Sequence, residues 1–283
     1  MQLAGRFAEA QHNERMSAAK PGDHRDEAYW REFLTHPDSL MRTGRLVFSR
    51  IPSNPRCQLC ASPFSGWGGR VMKIIGKRAS HGNPNLCNGC ENVLLRHHGG
   101  AEVPSSILFA DIRGSTTMAE GMSPTEFREL LDRFYTAASR AVFANNGVVD
   151  KFVGDEIMAV FAPMLGEDHT ARAVTAAQAV LRATGHADPG GPWAPVGAGV
   201  HTGQVWFGAV GEGQSVAITV VGDTVNTAAR LAAAAGAGEI VVSADAAAAA
   251  GLDPNLPHRS LALKGKAITT DVVTLGVRPS GAD

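Results

Sequence analysis

Residues 104–278 predict an α+β fold of the ferredoxin-like, split βαβ kind, with one mostly antiparallel sheet and helices on one face. Three observations carry this. The elements from residue 106 run strand, helix, hairpin, helix, strand, which is the order of that plan. The first of them, SILFADI at 106–112, is apolar but for Ser106 and Asp111 and reads as a buried strand. Two further apolar runs, 148–153 and 157–161, are separated only by Gly154-Asp155-Glu156, which makes them a hairpin.

The remaining elements follow in order. Residues 123–145 form a helix that opens on Ser123, Pro124 and Glu126, a capping pattern with proline at the first helical position. Asn146-Gly147 ends it. Residues 167–186 form an alanine-rich helix, and 196–201 and 204–210 a strand pair around Thr202-Gly203. A helix over 223–235, a strand over 239–243, a short alanine helix over 244–250 and strands near 259–263 and 271–275 complete the domain. In the first strand's neighbourhood, the plan sets 106–112 beside the hairpin strand that precedes Asp155.

The chain before this domain has a different texture. Residues 1–56 form a partly helical segment: 26–34 (DEAYWREFL) has apolar residues at helical spacing, while 36–56 carry three prolines and wind irregularly. Residues 57–100 form a second segment, rich in Gly, Pro, Ser and Asn and too poor in apolar residues to build much core. At ~150 residues per domain, 283 residues bound the chain at about two domains.

Net charge is -1 and both signs are interspersed, so no basic stripe points to nucleic acid. No apolar run approaches the ~20 residues of a transmembrane helix, and residues 1–20 lack a signal-peptide core. The expected location is cytoplasmic. All four cysteines, Cys57, Cys60, Cys87 and Cys90, fall in two Cys-x-x-Cys pairs 26 residues apart. In a cytosolic chain that spacing favours a metal over disulfides. Four thiolates suit a closed zinc site, which supplies folding energy to a loop-rich segment; an iron–sulfur cluster is the alternative.

Two carboxylates stand out in the C-terminal domain. Asp111 ends the first strand and Asp155 sits at the hairpin tip, so both converge on one sheet edge. Close carboxylates repel unless a proton or cation bridges them. Magnesium, held by one or two carboxylates and phosphate oxygens, is the usual cation for phosphate chemistry. After Asp111 comes Ile112-Arg113-Gly114-Ser115-Thr116, a strand-to-helix turn whose backbone N–H groups can receive an anion. The combination suits phosphoryl or nucleotidyl transfer.

Five blocks carry a resemblance: FADIRGST at 109–116, KFVGDEIMAVF at 151–161, GAGVHTGQVWFGAVG at 197–211, TVVGDTVNTAARL at 219–231 and LKGK at 263–266. In this order they resemble the class III adenylate and guanylate cyclases. The resemblance implies that Asp111, Asp155 and the carbonyl of Ile112 hold two magnesium or manganese ions. Asn226 and Arg230 would orient the ribose and stabilise charge on the attacked phosphate, and Lys264 would contact the terminal phosphates. Lys151 and Thr219 would read the base. Lys151 implies ATP, since guanylate cyclases of similar sequence usually carry Glu there. Thr219 departs from the Asp of many members and resembles a Thr-bearing subgroup.

The expectation is therefore an adenylate cyclase that converts ATP to cyclic AMP. The resemblance also implies a head-to-tail homodimer, in which the aspartates of one chain meet the base-reading residues of the other. The alternatives are a guanylate cyclase and a silent cyclase-like nucleotide-binding module. Without the resemblance, Lys151 could be a surface partner of Asp155, four residues on, and Arg230 a solvated helix residue.

Overall fold

The thirteen residues of β1, Gly100–Ile112, run through the middle of an eight-stranded sheet in this computed structural model. The structure describes residues 24–36, 39–53, 55–81, 83–97, 99–211, 217–263 and 269–277. The other strands are β2 (Val148–Val153), β3 (Glu156–Phe161), β4 (Val196–Val210), β5 (Ala217–Val221), β6 (Ile240–Ser243), β7 (His258–Leu261) and β8 (Thr270–Leu275). Their order is β2-β3-β1-β4-β6-β8-β7, with β5 paired to the far end of β4. All pairings are antiparallel except β4 with β6.

The α+β expectation holds, with three differences. First, β1 lies beside β3, the strand that follows Asp155, rather than beside the one that precedes it: Asp111 is opposite Glu156. The carboxylates still converge, because Asp155 is the next residue along. Second, 196–210 is one strand, not two. Thr202 and Gly203 stay in register with Ser106 and Ser105 of β1, so the whole length is held by a partner and no turn forms.

Third, helices cover both faces of the sheet. Strand alternation sends Leu108, Ala110 and Ile112 to one face, where α6 (Pro124–Ala144) and α7 (His169–Ala183) pack. The expected capping box at Ser123 and Glu126 opens α6. Ile107 and Phe109 point to the opposite face, onto α8 (Asp223–Ala234) and residues N-terminal to the sheet. Gly199 explains how closely α8 sits. A Cβ at that position would lie 2.1 Å from the Ala232 nitrogen, so only glycine lets the helix press onto β4.

Among the described residues the N-terminal part contains four helices: α1 (His24–Thr35), α2 (Ser39–Phe48), α3 (Gly66–Ile74) and α4 (Asn88–Arg96). Helix α2 replaces the irregular course expected there. Its Arg45 is buried and donates to the carbonyls of Gln58, Leu59 and Phe143 and to Asn146 Oδ1. Burial pulls this guanidinium down to about 10. Trp30 and Leu34 of α1 are fully buried against the sheet, and Trp30 Nε1 donates to the His97 carbonyl at the end of α4. Two further short helices among the described residues are α5 (Ser115–Gly121) and α9 (Ala244–Ala249).

Candidate active site and metal-binding cysteines

The register that places Asp111 opposite Glu156 builds a cluster of three carboxylates, Asp111, Asp155 and Glu156, at one end of β1 and β3. The Ile112 N–H donates to the Asp155 carbonyl at 3.3 Å, which ties the hairpin tip to the end of β1. Burial raises the Asp111 carboxyl, opposed by its ion pair with Arg113, and the charge of Asp155 raises it further. Burial and then the charges of Asp111 and Asp155 push Glu156 up to about 7. The cluster therefore carries more negative charge than Arg113 balances, which suits a divalent cation. Neither Glu156 nor Arg113 was a candidate from sequence. Their signal lay in the antiparallel register, which adjacent letters do not display.

Directly after this cluster, Gly114 adopts a left-handed conformation (φ 72°) and turns the chain into α5. That conformation costs a side-chain-bearing residue energy and suits glycine. Ser115 and Thr116 form the first helical turn, where unpaired backbone N–H groups gather.

A second group forms elsewhere. Lys151 Nζ donates to Thr219 Oγ1 at 3.0 Å and lies 3.1 Å from Asp150 Oδ2. Thr219 Oγ1 in turn donates to Asp150 Oδ2 at 2.9 Å. Lys151 thus pairs with Asp150, not with Asp155. Four strand spacings separate β2 from β5, which in a flat sheet is ~19 Å. Contact at 3.0 Å means the long strands coil, so that β5 folds back over β2. Burial raises the Asp150 carboxyl, and Lys151 and Thr219 oppose that rise.

Asn226 and Arg230 lie one turn apart on the side of α8 that faces away from its buried residues Thr224, Thr227, Ala228 and Leu231. Among the described residues Arg230 pairs with no carboxylate. Lys264 lies outside the described residues. No hydrogen bond or ion pair among the described residues joins the carboxylate cluster to the Lys151–Thr219 group.

A family model described as the adenylate and guanylate cyclase catalytic domain matches residues 101–267. The chain belongs to this family of class III cyclases. An adenylate cyclase of Anabaena cylindrica is 36% identical over 131 residues, 44% of this chain and 26% of that protein. Adenylate cyclase 1 of Rhizobium meliloti is 36% identical over 130 residues, 44% of this chain and 20% of that protein. The cyclase match thus spans about a quarter of the length of these relatives. Among solved structures, the guanylyl cyclase Cya2 superposes with a TM-score of 0.56 at 29% identity, covering 65% of this chain and 98% of that one. The adenylyl cyclase CyaB from P. aeruginosa gives 0.54 at 25% identity, covering 62% and 96%.

The four cysteines of this cyclase converge. Their Sγ atoms lie within 4.8 Å of one another, and Cys57, Cys60 and Cys87 are buried. Cys60 Sγ and Cys87 Sγ are 3.7 Å apart. A tetrahedral zinc site with Zn–S of ~2.3 Å has sulfur–sulfur edges of ~3.8 Å, so the spacing fits. Backbone N–H groups already point at the sulfurs, Cys87 N to Cys57 Sγ at 3.2 Å and Cys90 N to Cys87 Sγ at 3.4 Å. Hydrogen bonds among the thiols lower Cys60 and Cys87 and raise Cys57 and Cys90, as expected of sulfurs too close to ionise together without a cation. The residues are therefore placed to hold a metal ion. The first pair also grips the sheet, for Gln58 Oε1 accepts from the Val149 N–H of β2. Among the described residues, no helix is long and apolar enough to cross a membrane.

Proposed function

We propose that this cyclase converts ATP to 3′,5′-cyclic AMP and pyrophosphate, in a homodimer with two shared sites. The observation that carries the choice of ATP is the Lys151–Thr219 contact at 3.0 Å. It sets an ammonium donor beside a hydroxyl, where a guanine-reading site would be expected to offer a carboxylate to guanine's donors.

Two magnesium or manganese ions, held by Asp111, Asp155 and the Ile112 carbonyl, would activate the ribose 3′-hydroxyl and neutralise the triphosphate. The chain's own groups do the rest. Asn226 orients the ribose, and Arg230 meets the charge that grows on the α-phosphate as the 3′ oxygen bonds to phosphorus and the bond to pyrophosphate breaks. The backbone N–H groups of Gly114, Ser115 and Thr116 receive phosphate oxygens, and Lys264 the terminal ones. Lys151 and Thr219 hold the base. Among the described residues of one chain no hydrogen bond or ion pair joins the two groups, which favours a partner that brings its Lys151, Thr219, Asn226 and Arg230 to the aspartates. The cysteine segment, with zinc or an iron–sulfur cluster, serves as a regulatory region in a cytoplasmic protein.

The test is to incubate the purified chain with ATP or GTP plus magnesium or manganese and quantify both cyclic nucleotides, with Asp111→Ala as control. Cyclic AMP that disappears in the variant is the expected result. Cyclic GMP as the main product, or no product with either metal, contradicts the proposal.

A further inference from the structure

Asp150 is a buried carboxylate to which the proposed reaction assigns no role; its side chain is 6% exposed. Strict alternation along β2 would send Asp150 and Lys151 to opposite faces of the sheet. They do not diverge. The register of β2 against β3 slips between Val149 and Lys151, and an extra residue in one strand turns neighbouring side chains to the same side. Both therefore reach Thr219.

The three side chains have fixed polarity. An ionised carboxylate only accepts, an ammonium only donates, and a hydroxyl has one proton and two acceptor sites. Thr219 gives its proton to Asp150 at 2.9 Å and accepts from Lys151 at 3.0 Å. Among the described residues, what remains is one acceptor site on Thr219 and one N–H on Lys151.

We propose that Asp150 is a positioning residue that sets base selectivity: by taking the Thr219 hydroxyl proton it fixes Thr219 as an acceptor, matched to a purine with an amino group at position 6 beside an acceptor nitrogen at position 1. The role rests on Lys151 and Thr219 meeting the base, as proposed above. With the base seated so, guanine sets its 6-oxygen against the Thr219 acceptor and its N1–H against the Lys151 donor, and both contacts repel. Without Asp150 the Thr219 proton is free to rotate and the hydroxyl loses its preference.

The test compares kcat/KM of the full chain for ATP, GTP and purine riboside 5′-triphosphate, which lacks the 6-amino group. The wild type should prefer ATP to the purine analogue by about tenfold, the worth of one buried hydrogen bond left unmade. In Asp150→Asn, whose amide can itself donate to Thr219, that preference should fall to about two- to threefold. Thr219→Ser should keep the wild-type ratio and Thr219→Val should lose it. Asp150→Asn on the Thr219→Val background should add no further loss, since one acts through the other.

An unchanged ratio in Asp150→Asn, or a further fall in the double variant, overturns the proposal. Should Asp150→Asn fail to fold, a wild-type ratio in Thr219→Val overturns it instead. If the wild type cyclises GTP in preference to ATP, both this role and the choice of ATP fall. If it cyclises neither, the reaction fails, but the role of Asp150 is still read from the binding ratio of 3′-deoxy-ATP to its analogue without the 6-amino group. Equal binding of the two by the wild type overturns it.

Discussion

The catalytic sheet and the cysteine module are held by different forces. Between Gly100 and Leu275 the chain buries apolar side chains on both faces of a continuous hydrogen-bonded ladder, from Leu108, Phe134 and Leu181 on one side to Ile107, Phe109 and Val205 on the other. Among the described residues around Cys57–Cys90 there are two short helices, α3 and α4, and two isolated β-bridges, Arg56 with Pro63 and Ala79 with Cys87. Its own apolar surface is partly turned outward, with Trp67 63% and Ile74 84% exposed on α3. Such a module has less burial with which to order itself, and four converging thiols are placed to supply, with a metal ion, what the core does not. A ladder tolerates the loss of one side chain better than a tetrahedral centre does.

The largest expected effect follows directly. If the cysteines hold a metal as proposed, stripping it, or replacing Cys87 with Ala, should open the module at a cost on the order of 10 kcal/mol of metal-coupled folding energy. Hydrogen exchange would then lose protection in 55–97 while strands β1, β3 and β4 keep theirs. Equal loss in both regions, or none in either, would break the comparison. Within the sheet the largest effect is chemical. Arg230→Ala should lower kcat by about a hundred- to a thousandfold with little change in melting temperature, because the role proposed for its side chain is to stabilise charge and not the fold. Loss of stability without loss of kcat would assign Arg230 a structural part.

Much of the sheet, and the candidate site residues as candidates, were legible in the letters. Asp111, Asp155, Asn226 and Arg230 stand in short contiguous blocks, and the strand-and-turn chemistry around them is local. What escaped depends on contacts far apart in the chain. Residues 100–105 hold a glycine, a proline and a serine, yet they are strand because β4 pairs with them along its length. Glu156 joins the acidic cluster only through the β1–β3 register, and Asp150 reaches Thr219 only because β2 bulges and β5 coils over it. Helix α2 was hidden because its stabiliser, the buried Arg45, finds its acceptors at Gln58, Leu59, Phe143 and Asn146.

Smaller effects probe the seam between the two regions. Gln58→Ala leaves the Val149 N–H without its acceptor and should cost about 1–3 kcal/mol, read as a lower melting temperature. Because Val149 lies two residues before Lys151, the same variant should also raise KM for ATP. An unchanged KM would mean the module is docked on the sheet but not coupled to the base contact.

The smallest effect is a pH slope. His169 and His186 are both lowered by burial, so the folded chain favours their neutral forms. Below the unfolded value of ~6.5 the unfolded chain binds more protons, so their contribution to stability is present above that pH and lost as pH falls past it. His186 Nε2 accepts from the Val196 N–H, and His186→Gln should flatten the slope below about pH 6.5. A slope unaltered by the substitution would place its origin elsewhere.

The central claim, a cyclase whose two half-sites meet only between chains, is tested most directly by complementation. Asp111→Ala and Lys151→Ala variants are each assayed alone and then co-expressed as a differently tagged pair and purified through both tags. In the mixed dimer one site carries both substitutions and the other carries neither. The account predicts near-silent single variants and a mixed dimer that makes cyclic AMP at up to about half the wild-type rate per dimer. A mixed dimer as silent as its parents would contradict it.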